Sequence, residues 1–289
     1  MYLLTGNEIL FKSNDIITLF FQKEKYNDYA DQIENLLDDA IESIDIADYS
    51  FYSGIAGLGW LIEFCKEKKI IRINTESSLA DFDDQIYKFT IHYLSQDNTD
   101  YEVLFDLFNY YYARMRSKNE NSDINRTFSL FVCGNLIVRK INVQKIEPLL
   151  ADKRRLQPEE LLFISAFTLK LTYISELSGF ASDILLFQIF ENVFTYFEQE
   201  YSTLDEDYLL SILLLLASAK QAKNKVWEKK MLSHYHTLKS RVSNHKESDD
   251  IVLLEEIIDI HFHYQNPQIL LNKEKYCKFL CFYLLNFSN

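Results

Sequence analysis

Residues 53–64 read Ser53-Gly54-Ile55-Ala56-Gly57-Leu58-Gly59-Trp60-Leu61-Ile62-Glu63-Phe64. Three of the six glycines in the 289-residue chain lie in this stretch, at Gly54, Gly57 and Gly59. They stand at the mouth of an apolar run that continues to Cys65. A glycine inside a helix costs about 1 kcal/mol relative to alanine. Three together therefore call for a compensating contact, and glycine permits one by letting another backbone come close. The local reading is a helix that starts near residue 55 and crosses a neighbour tightly.

The sequence around this stretch is helical in its periodicity. Tyr26, Tyr29, Ala30, Ile33, Leu36, Leu37, Ala40, Ile41 and Ile44 form one apolar stripe at i, i+3, i+4 and i+7, with Asp31, Glu34, Asp38, Asp39 and Glu42 opposite. Leu79, Phe82, Ile86, Phe89 and Tyr93 repeat the pattern, and Met231, Tyr235, Leu238 and Val242 follow it more weakly. Leu209–Ala219 (LLSILLLLASA), Leu161–Leu169 (LLFISAFTL) and Phe279–Leu285 (FLCFYLL) are apolar around most of their circumference, which predicts helices covered on several sides. One-sided and all-round helices in alternation suggest an inner layer wrapped by an outer one. Ser117–Asp123, Ala151–Gln157 and Ser243–Asp250 read as polar loops, none long or flexible enough for a domain linker. The expectation is a single all-α domain over residues 1–289.

Composition narrows the function classes. Six glycines and three prolines are too few for sandwiches, barrels or glycine-rich nucleotide folds. Apolar residues at 48% and charged residues at 25% leave room for a sizeable core. A net charge of -13 disfavours general nucleic-acid binding. Four cysteines do not make a disulfide framework. Residues 1–10 lack a basic segment and a cleavage site, and Leu209–Ala219 falls short of the roughly 20 residues that span a bilayer. These features favour a cytoplasmic protein with no membrane partner. No P-loop, dinucleotide fingerprint, nucleophile elbow or zinc-protease helix is present in the sequence.

The stretch 53–64 resembles the Gly-Leu-Ala-Gly-Ile-Gly-Trp element of the lanthionine cyclases, the LanC-like proteins. Leu3-Leu4-Thr5-Gly6 followed by the Tyr26–Ile44 stripe looks like that family's first repeat. Leu104–Arg114 looks like its third, with Asp106 and Phe108 at the family's glycine positions and Arg114 as the closing arginine. Ser175–Phe180 is similar to a later Gly-Leu-Ala-His-Gly element and keeps only Gly179. The resemblance implies an α/α toroid-like barrel of helical hairpins, two concentric helix layers, in which zinc held by two cysteines and a histidine activates a peptide thiol.

By the same resemblance, the first cysteine would fall near Leu204–Asp207 and an adjacent Cys-His pair near Asp250–Leu254, where neither residue type occurs. Ser178 stands in place of the family's acid/base histidine. A catalytic zinc needs three protein ligands and an open fourth position. The expectation is a noncatalytic member without zinc that binds a peptide or protein, such as a modification enzyme, in lanthipeptide-type maturation. Its alternatives are an enzyme with relocated metal ligands and a helical-repeat scaffold.

Candidate peptide-cavity residues are Trp60, Tyr110, Tyr111, Asp205 and Asp207, with Gly54, Gly57, Gly59 and Trp60 as the structural motif. Tyr110, Tyr111 and Tyr112 are consecutive and cannot share one helix face, so one or two belong to the core. Asp205, Glu206 and Asp207 follow Ser202 and Thr203 and suit the first turn of a helix. Cys277 and Cys281 are spaced i, i+4, and His263 is available as a third ligand, although buried cysteine often serves as a small hydrophobe.

Overall fold

A computed structural model describes residues 16, 29–51, 53–117, 123–151, 156–178, 180–197, 206–242, 251, 252, 254, 255 and 258. Every regular element among them is a helix, as the periodicity predicts. They divide into two compact units, one ending at Ile141 and the other beginning at Asn142. The second unit begins with a π-helical turn, Asn142–Ile146.

In the first unit, α1 (Tyr29–Ser43) buries Ile33, Leu37 and Ala40 from the predicted stripe and exposes its carboxylates. Ile41, placed on the stripe by sequence, is 48% exposed. Helix α2 (Ile55–Glu67) is buried at every residue from Ile55 to Cys65. A single turn, α3 (Thr75–Ser78), is capped by Asn74, whose side chain accepts from the Glu76 N–H. It leads into α4 (Ala80–Leu94), α5 (Tyr101–Arg116) and α6 (Ile124–Ile141). Helix α2 packs on α5 and α4, and α6 packs on both α5 and α4.

The second unit holds α7 (Glu147–Ala151), α8 (Pro158–Ser178), α9 (Phe180–Phe197), α10 (Glu206–Gln221) and α11 (Lys225–Val242). Helix α10 packs on α8 and α11, and α8 also packs on α9. All residues of the predicted all-round segment Leu209–Ala219 are buried. Several serine and threonine hydroxyls in this core are satisfied along their own helices. Ser218 donates to the Leu214 carbonyl at 2.7 Å, Ser165 to Leu161 at 2.7 Å and Thr168 to Ile164 at 2.6 Å. Trp227 of α11 stacks on Phe190 of α9 with ring centroids 4.1 Å apart. Three residues, Ala222–Asn224, join α10 to α11, with Lys223 in the left-handed region at φ 53° and the Asn224 N–H reaching back to the Ala219 carbonyl.

Candidate functional site

The glycine-rich entry to α2 is built against the turn that precedes it. Asp48 organises that turn: one carboxylate oxygen accepts the Ser50 N–H at 2.8 Å and the other accepts the Ser53 hydroxyl at 2.6 Å. Burial pushes the Asp48 carboxyl upward, but the Ser53 and Ser50 donors outweigh it and hold the group below its ordinary pKa. The Ile55 N–H then donates to the Asp48 carbonyl at 2.9 Å. A Cβ on Gly54 would lie 2.1 Å from the Asp48 carbonyl oxygen, and one on Gly57 would lie 1.7 Å from that of Phe51. The close approach expected from sequence is therefore made, at Gly54 and Gly57, by the adjoining turn and not by a crossing helix. Gly59 alone faces another helix, where a Cβ would stand 2.5 Å from the Tyr110 ring of α5.

Beneath this entry, α2, α4 and α5 share a buried ionic cluster. Arg114 grips Asp83 in a two-point clamp, Nε to Oδ1 at 2.9 Å and Nη2 to Oδ2 at 2.6 Å, and its Nη1 donates to Glu63. The Tyr110 hydroxyl donates to Asp83 Oδ1 at 2.6 Å. Glu63, Asp83 and Arg114 are 4%, 4% and 3% exposed, so this cluster is sealed from solvent. Burial works against the Arg114 cation, yet its bonds to Asp83 more than offset that and hold the guanidinium above its ordinary pKa. Tyr110 is pushed well up, first by burial and then by the Asp83 charge.

The cluster opens outward through a second rank of charges. Arg126 of α6 reaches Asp83 at 3.5 Å and Glu76 at 3.9 Å, and Lys66 lies 3.9 Å from Glu63. Three cations (Lys66, Arg114, Arg126) thus answer three carboxylates (Glu63, Glu76, Asp83). Lys66 also donates to the Thr75 hydroxyl at 3.0 Å and the Ser117 hydroxyl at 2.7 Å. Burial draws its pKa down, against the pull of Glu63. The arrangement ties the end of α2, the starts of α4 and α6 and the end of α5 to one point. Its chemistry is mutual neutralisation.

The tyrosine triplet is wholly interior. Tyr110, Tyr111 and Tyr112 are 0%, 1% and 0% exposed, and Trp60 is 3% exposed. The Tyr111 hydroxyl donates to Thr90 at 2.8 Å, and Thr90 donates to the Ile86 carbonyl at 2.7 Å. Three consecutive tyrosines can all be buried because α5 is covered on several sides, by α2 and by α6. The surface of Trp60, Tyr110 and Tyr111 expected to line a peptide cavity is taken up by packing: Trp60 meets Phe51 edge-on at 5.5 Å and Phe64 at 5.7 Å.

The remaining sequence candidates are placed as follows. Asp207 is half-buried in the first turn of α10, its main-chain carbonyl accepting from the Ser211 hydroxyl at 2.6 Å. Asp205, His263, Cys277 and Cys281 lie outside the described residues. Near the position where the resemblance would put a Cys-His pair, Ile251 and Leu254 are buried aliphatic side chains, which cannot ligate zinc. Among the described residues no group of three His, Cys, Asp or Glu side chains is placed to hold a metal ion. Cys65 and Cys133 are buried singly in helices. Burial pushes the Cys65 thiol up to about 12, and it raises Cys133 despite its hydrogen bond with Tyr111.

Sequence reading passed over Glu63, Asp83 and Arg126 as a set. The signal was present in two places: Glu63 interrupts an apolar run, and Asp83 and Thr90 fall on the Leu79–Tyr93 stripe at positions that face the core. Comparison with protein-family models, with curated proteins and with solved structures finds no match to this chain.

Proposed function

We propose that this chain is a noncatalytic LanC-like protein, a toroid of helical hairpins, that binds a cationic peptide or protein partner in the cytoplasm during peptide modification. The observation that carries the binding reading is the outer face of α1. Asp31, Glu34, Asp38, Asp39 and Glu42 are all exposed there, and the helix contains no basic residue. In a chain of net charge -13, that face concentrates the negative field on one rigid element. The noncatalytic reading is supported by the use of the 53–64 stretch, where the small residues seat a turn and an aromatic ring.

A fluorescent Lys/Arg-rich peptide tests the reading by anisotropy. Binding should weaken as salt rises, because the exposed charges are screened beyond about 10 Å at 0.1 M. The pair Asp38→Lys and Asp39→Lys should weaken it about tenfold or more, a loss of about 1.4 kcal/mol. Binding that ignores both salt and this pair would refute the acidic-face reading. Elemental analysis of the purified protein tests the other half. Stoichiometric zinc lost on Cys277→Ala would replace the noncatalytic reading with a cyclase using relocated ligands.

A further inference from the structure

Lys66 reaches past the carboxylate of its own helix to two hydroxyls. Glu63 stands 3.9 Å from the Lys66 amine and is already held by Arg114. The amine lies closer to Ser117 Oγ, at 2.7 Å, and to Thr75 Oγ1, at 3.0 Å. The two hydroxyl oxygens are 3.1 Å apart, so the three atoms close a triangle. It draws on three elements: the last turn of α2, the single turn α3 and the residue that caps α5. An amine within hydrogen-bond reach of a hydroxyl, and itself oriented by a third group, is the arrangement that activates a serine for attack.

The two hydroxyls differ in access. Thr75 is 0% exposed, whereas Ser117 is half-buried. The Ser117 N–H donates to the Ala113 and Arg114 carbonyls at 3.2 and 3.3 Å, which fixes its backbone at the end of α5. Ser117 is therefore the residue that a substrate can meet, and Thr75 the one that orients the amine. Lys66 is suited to take the proton. Burial is the largest influence on its ammonium and draws the pKa down, and Arg114 of α5 adds to that. Glu63 of its own helix and Glu76 of α3 oppose them, and the balance falls below the ordinary lysine value.

We propose that Ser117 is a nucleophile, with Lys66 as its general base, that takes an acyl group from an activated ester. Ser117 Oγ attacks the ester carbonyl carbon, and the neutral Lys66 amine takes the hydroxyl proton. The oxyanion of the tetrahedral intermediate then forms beside the new ammonium, which offsets its charge. Collapse breaks the bond to the leaving alkoxide, and Lys66 returns the proton to it. The products are an acyl-serine and an alcohol. This is a single acyl transfer to the chain itself, distinct from thioether closure, and it does not depend on the acidic face of α1.

Reaction of the full chain with p-nitrophenyl acetate tests the proposal, with tandem mass spectrometry locating the acetyl group. Ser117 should be acetylated about a hundredfold faster than exposed serines elsewhere in the chain, the lower end of general-base assistance. The rate should rise with pH as Lys66 loses its proton, with its midpoint below that of an exposed lysine. Ser117→Ala should remove the label and leave the helical circular dichroism unchanged. Lys66→Arg keeps the cation and its donors but cannot accept a proton, so the Ser117 rate should fall about a hundredfold. A lysine with only a structural role would be replaced by arginine without that loss. Thr75→Val should slow the reaction at Ser117, and Thr75→Ser should preserve it. A Ser117 that reacts no faster than exposed serines overturns the proposal, and so does a Ser117 rate indifferent to Lys66→Arg.

Discussion

The two units bury an all-round helix in opposite ways. In the first, α2 and α5 enclose charge: Glu63, Asp83 and Arg114 lie at the centre, and Tyr110 spends its hydroxyl on Asp83. In the second, α10 packs on α8 and α11, its hydroxyls turn back to their own helix, and Lys170 of α8 is the charged side chain buried there among the described residues. The second core gains from every apolar atom it removes from water. The first must also offset the cost of dehydrating three ions, and it does so only while each partner is present. The first unit should therefore be brittle and the second tolerant.

The largest expected effect is at the ionic centre. Arg114→Met leaves two dehydrated carboxylates without their clamp and should cost about 3–5 kcal/mol, read by chemical denaturation. Next comes Gly57→Ala, whose methyl would meet the Phe51 carbonyl oxygen at 1.7 Å. It should cost about 3 kcal/mol, at the upper end of overpacking, because a backbone atom cannot swing aside. In the second unit Ser218→Ala removes a hydroxyl bonded only within its own helix and should change stability by less than about 1 kcal/mol in the same assay. The smallest effect carries the opposite sign. Lys223→Gly relieves a left-handed backbone at φ 53° and should raise stability by up to about 1 kcal/mol in a thermal melt. A first unit that absorbs Arg114→Met as readily as the second absorbs Ser218→Ala would erase the contrast.

Much of this was legible in the sequence, for reasons that differ by element. Helix α1 announced itself because Ile33, Leu37 and Ala40 are apolar against a largely acidic opposite side, although Ile41, on the same stripe, is exposed. The α10 segment was plain from its continuous apolar run. The glycines were legible as a demand for close contact, but their partner was not. An adjoining turn held by Asp48 and a crossing helix ask for the same small residues. Asp83 was hidden because a pattern read for apolar residues passes over an acid that sits on the buried side. Arg114 was visible only as the end of a resembling repeat. Its two carboxylate partners lie 31 and 51 residues away, a distance no periodicity bridges. The Tyr110–Tyr112 triplet misled for a related cause. Three faces of one helix can all be interior when neighbours close on several sides.

The most direct test of the ionic lock is a double-mutant cycle between Arg114→Met and Asp83→Asn, measured by denaturant unfolding of the full chain. The account predicts strong coupling, with the double variant less destabilised than the sum of the two singles by about 1–3 kcal/mol. Additivity to within about 0.3 kcal/mol would contradict it, because two groups that clamp each other in a dry core cannot be lost independently.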